Sequence, residues 1–157
     1  MRGCFCYIEI YMGDGPKKVL IIEDDLGFRN PLSTFLSSHA CTVFGADDGE
    51  QAMEKILFHK PDLVILDLLL PKVHGITVLE RIRNYPEEEI ANTPVVILTN
   101  LTASEDMERA KKLKVEGYFV KSQTSFEEVL KKVQLILFKG HKPPESEIMD
   151  FTKPMDI

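Results

Sequence analysis

The sequence Leu63-Val64-Ile65-Leu66-Asp67-Leu68-Leu69-Leu70-Pro71 places a single carboxylate inside a strongly apolar run. A short run of this kind is typical of a strand that is buried on both faces, as in a parallel sheet. Because a buried carboxylate needs a cationic or hydrogen-bonding partner, we expect Asp67 at the carboxyl end of this strand. Open α/β sheets bind their ligands at that end. Asp67 is therefore the centre of the candidate functional site.

Segments with the character of strands and helices alternate five times along the chain. Each predicted strand is followed by a segment whose apolar residues recur at helical spacing. This alternation predicts an α/β fold, a doubly wound parallel sheet with right-handed crossovers and helices on both faces. The strands are predicted at 19–22, 41–45, 63–67, 94–99 and 117–120, with a polar connection at 84–93.

Three local patterns predict where helices begin. Pro31 interrupts the first helical segment, so we expect that helix to begin late or to bend near the proline. The pattern Thr102-x-x-Glu105 can form a capping box for the fourth helix, and Thr124-x-x-Glu127 can form one for the last helix.

The length and composition of the chain predict one domain with short tails. Of its 157 residues, 44% are hydrophobic, which is enough for a substantial core. We expect a flexible N-terminal extension at 1–16, a domain at 17–138 and a disordered tail at 139–157. Neither an internal repeat nor a second domain is expected.

The charge and the cysteines limit the possible partners and location. A net charge of -6 argues against non-specific binding to nucleic acid or to anionic membranes, which favour an excess of lysine and arginine. No apolar run is long enough to span a bilayer. The three cysteines do not form a disulfide framework, so a cytoplasmic location is expected.

Polar residues follow four of the apolar runs, at Glu23-Asp24-Asp25, Asp67, Thr99 and Lys121. Since the carboxyl ends of parallel strands share one edge of the sheet, these groups are expected to converge. Each residue also has an ordinary structural interpretation, as a helix cap, an acidic turn, a strand-end hydroxyl or a solvent-facing lysine. Their joint occurrence in this order favours a site.

Several carboxylates in one place require cations. Two like charges about 4 Å apart repel by roughly 4 kcal/mol at an effective dielectric constant near 20. Lys121 supplies one positive charge, and Mg²⁺ fits the remaining acidic oxygens best because it keeps several waters. Asp67 could then act as a nucleophile and become an acyl phosphate. Lys121 and Thr99 would stabilise the transferring phosphoryl group.

These residues resemble the receiver domain of two-component response regulators over about 17–137. Glu23 and Asp24 match the acidic pair of that family. Its phosphoacceptor motif corresponds to residues 63–67 with Pro71 and Gly75. Its switch threonine stretch corresponds to residues 95–99, and its aromatic-x-x-lysine stretch corresponds to residues 118–121. The resemblance implies a flavodoxin-like sheet in the order 2-1-3-4-5. It also implies a single-domain response regulator that receives a phosphoryl group on Asp67 from a sensor histidine kinase or a phosphotransfer protein.

The resemblance also assigns roles to individual residues. Mg²⁺ would be bound by Asp24, Asp67 and the backbone carbonyl of Leu69, with Glu23 acting through water. Phosphorylation would draw Thr99 toward the phosphoryl group and turn Tyr118 inward. The fourth helix, fifth strand and last helix would then change shape and bind a downstream protein, as a monomer or a phosphorylation-dependent dimer.

Several residues depart from the family pattern. Ser122 stands where the family usually has a proline after a cis bond, and we predict a trans bond because a cis bond to serine costs about 2.5–4 kcal/mol. Asn100 replaces a small residue after Thr99. His74 replaces a common acidic residue and is interpreted as a surface variant. Leu69 and Leu101 occupy positions that tune self-dephosphorylation in the family, and leucines there predict slow decay of the acyl phosphate.

Three classes of function remain open. The first is a phosphorylation-controlled switch rather than an enzyme with turnover. The second is a magnesium-dependent phosphohydrolase, which needs an aspartate two residues after its nucleophile, where this chain has Leu69. The third is an unphosphorylated docking module, which Asn100 and Ser122 keep possible. A nucleotide-binding protein is disfavoured, since no strand is followed by a P-loop or a G-x-G-x-x-G motif.

Overall fold

A computed structural model describes residues 15–39 and 41–138 of the chain. Most of the predicted N-terminal extension (1–16) and the whole predicted tail (139–157) lie outside the described residues. The strands are β1 (Lys17–Ile22), β2 (Cys41–Ala46), β3 (Leu63–Leu66), β4 (Val95–Thr99) and β5 (Gly117–Val120). The helices are α1 (Leu26–Ser37), α2 (Gly49–His59), α3 (Gly75–Arg83), α4 (Ser104–Lys112) and α5 (Phe126–Leu137), with a single helical turn at Glu88–Ala91 and a 3₁₀ turn at Lys121–Gln123.

The described strands form one parallel sheet in the order β2-β1-β3-β4-β5. This order and the flanking helices confirm the predicted doubly wound α/β fold. Neighbouring strands end nearly level, because Ile22 pairs with Leu66 and Leu66 pairs with Ile97. The residues that follow β1 and β3 therefore emerge side by side at one edge of the sheet.

Both faces of the sheet are covered, which explains why its strands are predominantly apolar. Successive side chains of a strand point to opposite faces. Leu20 and Ile22 accordingly belong to one hydrophobic cluster, with residues of α2 and α3, and Val19 and Ile21 belong to the other, with residues of α1 and α5. Among the described residues, no helix is long and apolar enough to cross a membrane.

The first helix does not begin late. It starts at Leu26 because Asp25 caps it, with the Asp25 carboxylate accepting a hydrogen bond of 2.8 Å from the Gly27 backbone N–H. The helix continues through Pro31, which removes one backbone donor from its interior. The predicted late start is therefore wrong, and the alternative, a bend near Pro31, stays a prediction.

Neither of the two predicted capping boxes forms at its predicted position. At α4 the cap position is Ala103, whose side chain makes no capping hydrogen bond, so the box of Thr102 and Glu105 does not form. At α5 the box forms one residue later than predicted, between Ser125 and Glu128. The Ser/Thr-x-x-Glu pattern occurs twice in this segment, and the 3₁₀ turn before it selects the second occurrence. The polar connection predicted at 84–93 also contains a helical turn.

Arg83 joins three segments on the side of the sheet that carries α3 and α4. Its guanidinium donates hydrogen bonds to the backbone carbonyls of Leu113 (2.7 Å), Thr93 (2.8 Å), Ala91 (2.9 Å) and Lys114 (3.3 Å). Burial lowers the pKa of this guanidinium from its usual value. Arginine remains charged nonetheless, so the four carbonyls receive charge-assisted hydrogen bonds.

Replacing Arg83 with alanine is expected to lower the free energy of unfolding by about 2–4 kcal/mol, because three partly buried carbonyls lose a charged donor. Urea denaturation followed by circular dichroism measures this change. Arg81→Ala is the matched control, since Arg81 lies on the exposed side of the same helix. Equal stability losses in the two variants would contradict the assigned role of Arg83.

Candidate functional site

Glu23 and Asp67 lie next to each other because the backbone hydrogen bonding of the sheet extends one residue beyond each strand. The N–H of Asp67 donates to the carbonyl of Ile22 at 3.0 Å, and the N–H of Glu23 donates to the carbonyl of Ala46 at 2.9 Å. Both side chains are buried, with relative exposures of 3% for Glu23 and 5% for Asp67. The sheet thus holds two buried carboxylates side by side.

Lys121 neutralises part of this charge. Its ammonium donates a hydrogen bond of 2.7 Å to Asp67 Oδ2 and a second one to Glu23 Oε2, and its side chain is only 11% exposed. Lys121 follows β5, whereas Glu23 and Asp67 follow β1 and β3, so the side chain reaches across the end of β4. The structure therefore brings the predicted acids and the predicted lysine together.

The pKa values of Glu23 and Lys121 are both shifted, and for each residue burial and the hydrogen bonds act in opposite directions. Burial raises the pKa of Glu23, as does the nearby Asp67, and the hydrogen bond from Lys121 opposes this rise without cancelling it. Burial acts to lower the pKa of Lys121, but its hydrogen bonds to Asp67 and Glu23 outweigh burial and raise it. The ammonium thus stays charged at neutral pH, whereas ionisation of Glu23 is costly in the folded protein.

Asp24 completes an acidic cluster with Glu23 and Asp67. Each residue offers a carboxylate oxygen, and these oxygens lie within 4.8 Å of one another. With all three ionised, one ammonium leaves the cluster with an excess of negative charge, and oxygen donors suit a hard divalent cation. Asp25 is not part of the cluster, because its carboxylate caps α1. The donor set therefore fits Mg²⁺.

Leu69 contacts Asp67 through its backbone. Its N–H donates a hydrogen bond of 3.0 Å to Asp67 Oδ1, whereas Lys121 binds the other oxygen, Oδ2. The Leu69 side chain is 53% exposed beside the site. A role for the Leu69 carbonyl as a metal ligand stays a prediction.

Gly75 allows the loop after Asp67 to fold back tightly. A Cβ atom at this position would collide with the carbonyl oxygen of Asp67 and would lie 2.6 Å from Cα of Leu68. The Gly75 N–H donates to the Leu68 carbonyl at 2.8 Å, which closes the loop. His74 caps α3, its Nδ1 accepting from the Ile76 N–H at 3.3 Å. These contacts support a structural interpretation of His74.

Thr99 and Tyr118 are linked through Leu101. Thr99 is fully buried at the end of β4, and its hydroxyl accepts a hydrogen bond of 3.3 Å from the Leu101 N–H. The Tyr118 hydroxyl donates to the Leu101 carbonyl at 2.9 Å, and its ring packs against the hydrophobic cluster of α2 and α3. Burial raises the pKa of this phenol, so it remains a donor at neutral pH.

The two departures next to the site contact each other. Asn100 Oδ1 accepts a hydrogen bond of 3.1 Å from the N–H of Ser122, and the Lys121–Ser122 bond is trans, as predicted. A proline at 122 would have no N–H to donate. The pair therefore joins the loop after Thr99 to the turn that begins at Lys121.

The sequence did not predict the contacts that Phe28 and Arg29 make at the site. The ring centroid of Phe28 lies 4.5 Å from the Lys121 ammonium, and Arg29 donates to the Glu23 carbonyl at 2.8 Å and to Asp47. Both lie in the first turn of α1, directly after the acidic residues. The start of α1 could have been anticipated from Asp25 as a helix cap, but the contacts with Lys121 and Asp47 join separate segments of the chain.

A family model described as the response regulator receiver domain matches residues 19–134. Among curated proteins, the chain is 35% identical over 105 residues to the Regulator of RpoS of Escherichia coli K12, covering 67% of this chain and 30% of that protein. It is 36% identical over 107 residues to the transcriptional regulatory protein PdtaR of Mycobacterium tuberculosis, covering 68% and 50%. The chain thus spans half or less of the length of these relatives.

Solved structures of similar sequence share the fold. The chemotaxis response regulator CheY4 of Vibrio cholerae is 28% identical, with a TM-score of 0.69 over 78% of this chain and 99% of that one. The BeF3-activated N-terminal receiver domain of Klebsiella pneumoniae RstA is also 28% identical, with a TM-score of 0.68 over 77% and 98%.

The buried position of Glu23 predicts a pH dependence of stability in metal-free protein. Its pKa is raised above its ordinary value of 4.5, so folded protein retains this proton to higher pH than unfolded protein does. The contribution of Glu23 to stability is therefore full below that value and is lost as pH rises through the folded-state pKa.

We expect Glu23→Gln to become more stable relative to wild type as pH rises through this window, by about 1.4 kcal/mol for each unit of pKa difference. Urea denaturation in EDTA at several pH values measures the difference. The variant also loses one partner of Lys121, but this offset is constant here because lysine stays charged. Asp24→Asn removes an exposed carboxylate of the same cluster and serves as the control. A stability difference that does not change with pH would contradict the prediction.

Proposed function

Because the chain belongs to the response regulator receiver family, we propose that Asp67 accepts a phosphoryl group from a phosphohistidine of a sensor kinase or a phosphotransfer protein. The observation that carries this proposal is the buried Asp67 carboxylate, which shares the Lys121 ammonium with Glu23 and lies beside Asp24. This arrangement combines a nucleophile, a fixed cation and an acidic metal-binding cluster. The protein then acts as a signalling switch.

In the transfer step, an oxygen of Asp67 attacks phosphorus, and the bond from phosphorus to the donor imidazole nitrogen breaks. The electron pair of that bond stays on the nitrogen, and Asp67 becomes an acyl phosphate. Lys121, which donates to Asp67 Oδ2, would neutralise charge on the transferring group, and the Thr99 hydroxyl would donate to a phosphoryl oxygen.

Glu23, Asp24 and Asp67 are the side chains that would hold Mg²⁺, with Glu23 acting through a water and the Leu69 carbonyl as a further ligand. When bound, the ion supplies a Lewis acid that neutralises charge on phosphoryl oxygens. The excess negative charge of the acidic cluster supports this assignment.

The proposed output is a rearrangement of α4, β5 and α5 that a downstream protein recognises. Thr99 and Tyr118 bind the N–H and the carbonyl of the same residue, Leu101. A movement of Thr99 toward a phosphoryl group therefore alters the backbone to which Tyr118 is bound. This shared contact supports coupling between the site and the face formed by α4, β5 and α5.

A phosphohydrolase is a weaker candidate. The position two residues after Asp67 holds Leu69, whose side chain offers neither a proton donor nor a base. A phosphoryl group on Asp67 would thus lack the group that a hydrolase uses for turnover. This favours storage of the phosphoryl group over its rapid release.

The first prediction from this function concerns phosphoryl acceptance. Incubation with acetyl phosphate and Mg²⁺ should add one phosphoryl group to the wild-type protein, detected as a mass increase of the intact chain. Asp67→Asn, which keeps the shape of the side chain and removes the nucleophile, should gain none. Removal of Mg²⁺ with EDTA should suppress the reaction in wild type.

Three results would contradict this prediction, and each would point to a different conclusion. A folded protein that gains no mass, beside a receiver that does react, would favour the unphosphorylated docking module. An equal mass increase in wild type and Asp67→Asn would place the phosphoryl group on another residue. Steady release of phosphate from simple phosphoesters would favour the phosphohydrolase.

The second prediction concerns the lifetime of the acyl phosphate. Leu69 is exposed beside Asp67, where an apolar side chain excludes water and cannot orient it for attack. Leu69→Asn should shorten the lifetime by roughly tenfold, since a polar group that positions water contributes on this scale or more. The decay of phosphorylated protein is followed by intact mass after removal of the donor. Leu69→Met is the apolar control, and an unchanged decay rate in Leu69→Asn would refute the shielding role.

A further inference from the structure

We propose that Phe28 is a positioning residue whose ring face holds the Lys121 ammonium against Glu23 and Asp67. The inference rests on the proposed function, since Lys121 acts there on the transferring phosphoryl group. Phe28 packs against the hydrophobic cluster of α1 and α5, and the proposal adds a role for its contact with the charged centre of the site.

The contact has the geometry and the environment of a strong cation–π interaction. The ammonium lies 4.5 Å from the ring centroid, within the range of about 6 Å in which such contacts attract. The Lys121 side chain is 11% exposed, so water screens the interaction little. Two of the three ammonium donors serve Asp67 and Glu23, and the electron-rich ring face is a further partner for the same cation.

The ring itself is held by two helices. Phe28 lies in the first turn of α1, whose start is set by the Asp25 cap. Its ring packs edge to face against Phe126, the first residue of α5, with centroids 5.6 Å apart and planes at 84°. Phe126 also contacts Phe35, about two helical turns further along α1, with ring centroids 6.0 Å apart. The aromatic cluster thus presents a fixed surface to the lysine.

A fixed surface matters because lysine is flexible. The charge of Lys121 stands on a four-carbon chain with many rotamers, and stabilisation of a transferring group requires a charge that is already in place. The two carboxylates attract the ammonium but leave it free to move around their oxygens. The ring closes one side of that space, so Phe28 restricts the ammonium to the position between Glu23 and Asp67.

The test replaces Phe28 with phenylalanines that carry one, two and five fluorine atoms, which withdraw electron density from the ring while largely keeping its shape. The rate of phosphorylation by acetyl phosphate should fall stepwise with fluorine number, by roughly three- to tenfold over the series, as expected for a partly desolvated cation–π contact. The same series at Phe35 is the control, because that ring contacts Phe126 and His39 rather than the lysine. Thermal unfolding of each variant shows whether packing is preserved.

A second readout does not depend on phosphorylation. The ring current of Phe28 should shift the proton resonances of the Lys121 Cε methylene upfield in wild type, and Phe28→Leu should abolish this shift. Phe28→Tyr, which retains an aromatic face, should retain both the shift and the rate.

A stepwise rate loss at Phe28 alone, together with the ring-current shift, supports the proposal. Equal rates across the Phe28 series, or the same loss in the Phe35 series, would overturn it. If the unsubstituted protein accepts no phosphoryl group, the proposed function fails. The ring-current shift then decides the placement of Lys121 by itself, and its absence would overturn the role of Phe28.

Discussion

The sharing of one ammonium by two buried carboxylates is the constraint on which the rest of the structure depends. Glu23, Asp67 and Lys121 follow three different strands, and their contacts join positions 54 and 98 residues apart. Buried carboxylates without a cation would be strongly unfavourable. Along the strand direction, the ends of β1, β3 and β5 must therefore differ by no more than the length of a side chain. The parallel register of the sheet meets this requirement.

The loops around the site are shaped by the same requirement. Gly75 lets the chain after Asp67 fold back without a clash, and the Asp25 cap starts α1 early enough to bring Phe28 over the lysine. Asn100 and Ser122 depart from the family pattern separately, yet they form one hydrogen bond between the loops that follow Thr99 and Lys121. A change that looks disruptive at each position alone is thus compensated by the other.

Burial of the acidic residues at the site lowers the stability of the folded protein but favours the proposed function. Burial makes ionised Glu23 costly, and the neighbouring Asp67 adds to that cost. Three carboxylates share a single lysine, so the ionised cluster carries an excess of negative charge that favours a divalent cation. Local destabilisation of this kind is common where a protein keeps reactive groups ready. The aromatic cluster of α1 and α5 and the carbonyl contacts of Arg83 stabilise the framework on either side of the sheet.

The sequence by itself determined the strand and helix order, the parallel sheet and the convergence of Glu23, Asp24, Asp67 and Lys121 at one edge of the sheet. It could do so because fully buried strands require continuous apolar runs, and because polar residues at successive strand ends share one edge of a parallel sheet. Only the tertiary structure decided the cap positions of α4 and α5, the contact of Phe28 with Lys121, the pairing of Asn100 with Ser122 and the carbonyl contacts of Arg83. These features depend on competition among neighbouring caps and on distances between loops far apart in the chain, which no local pattern encodes.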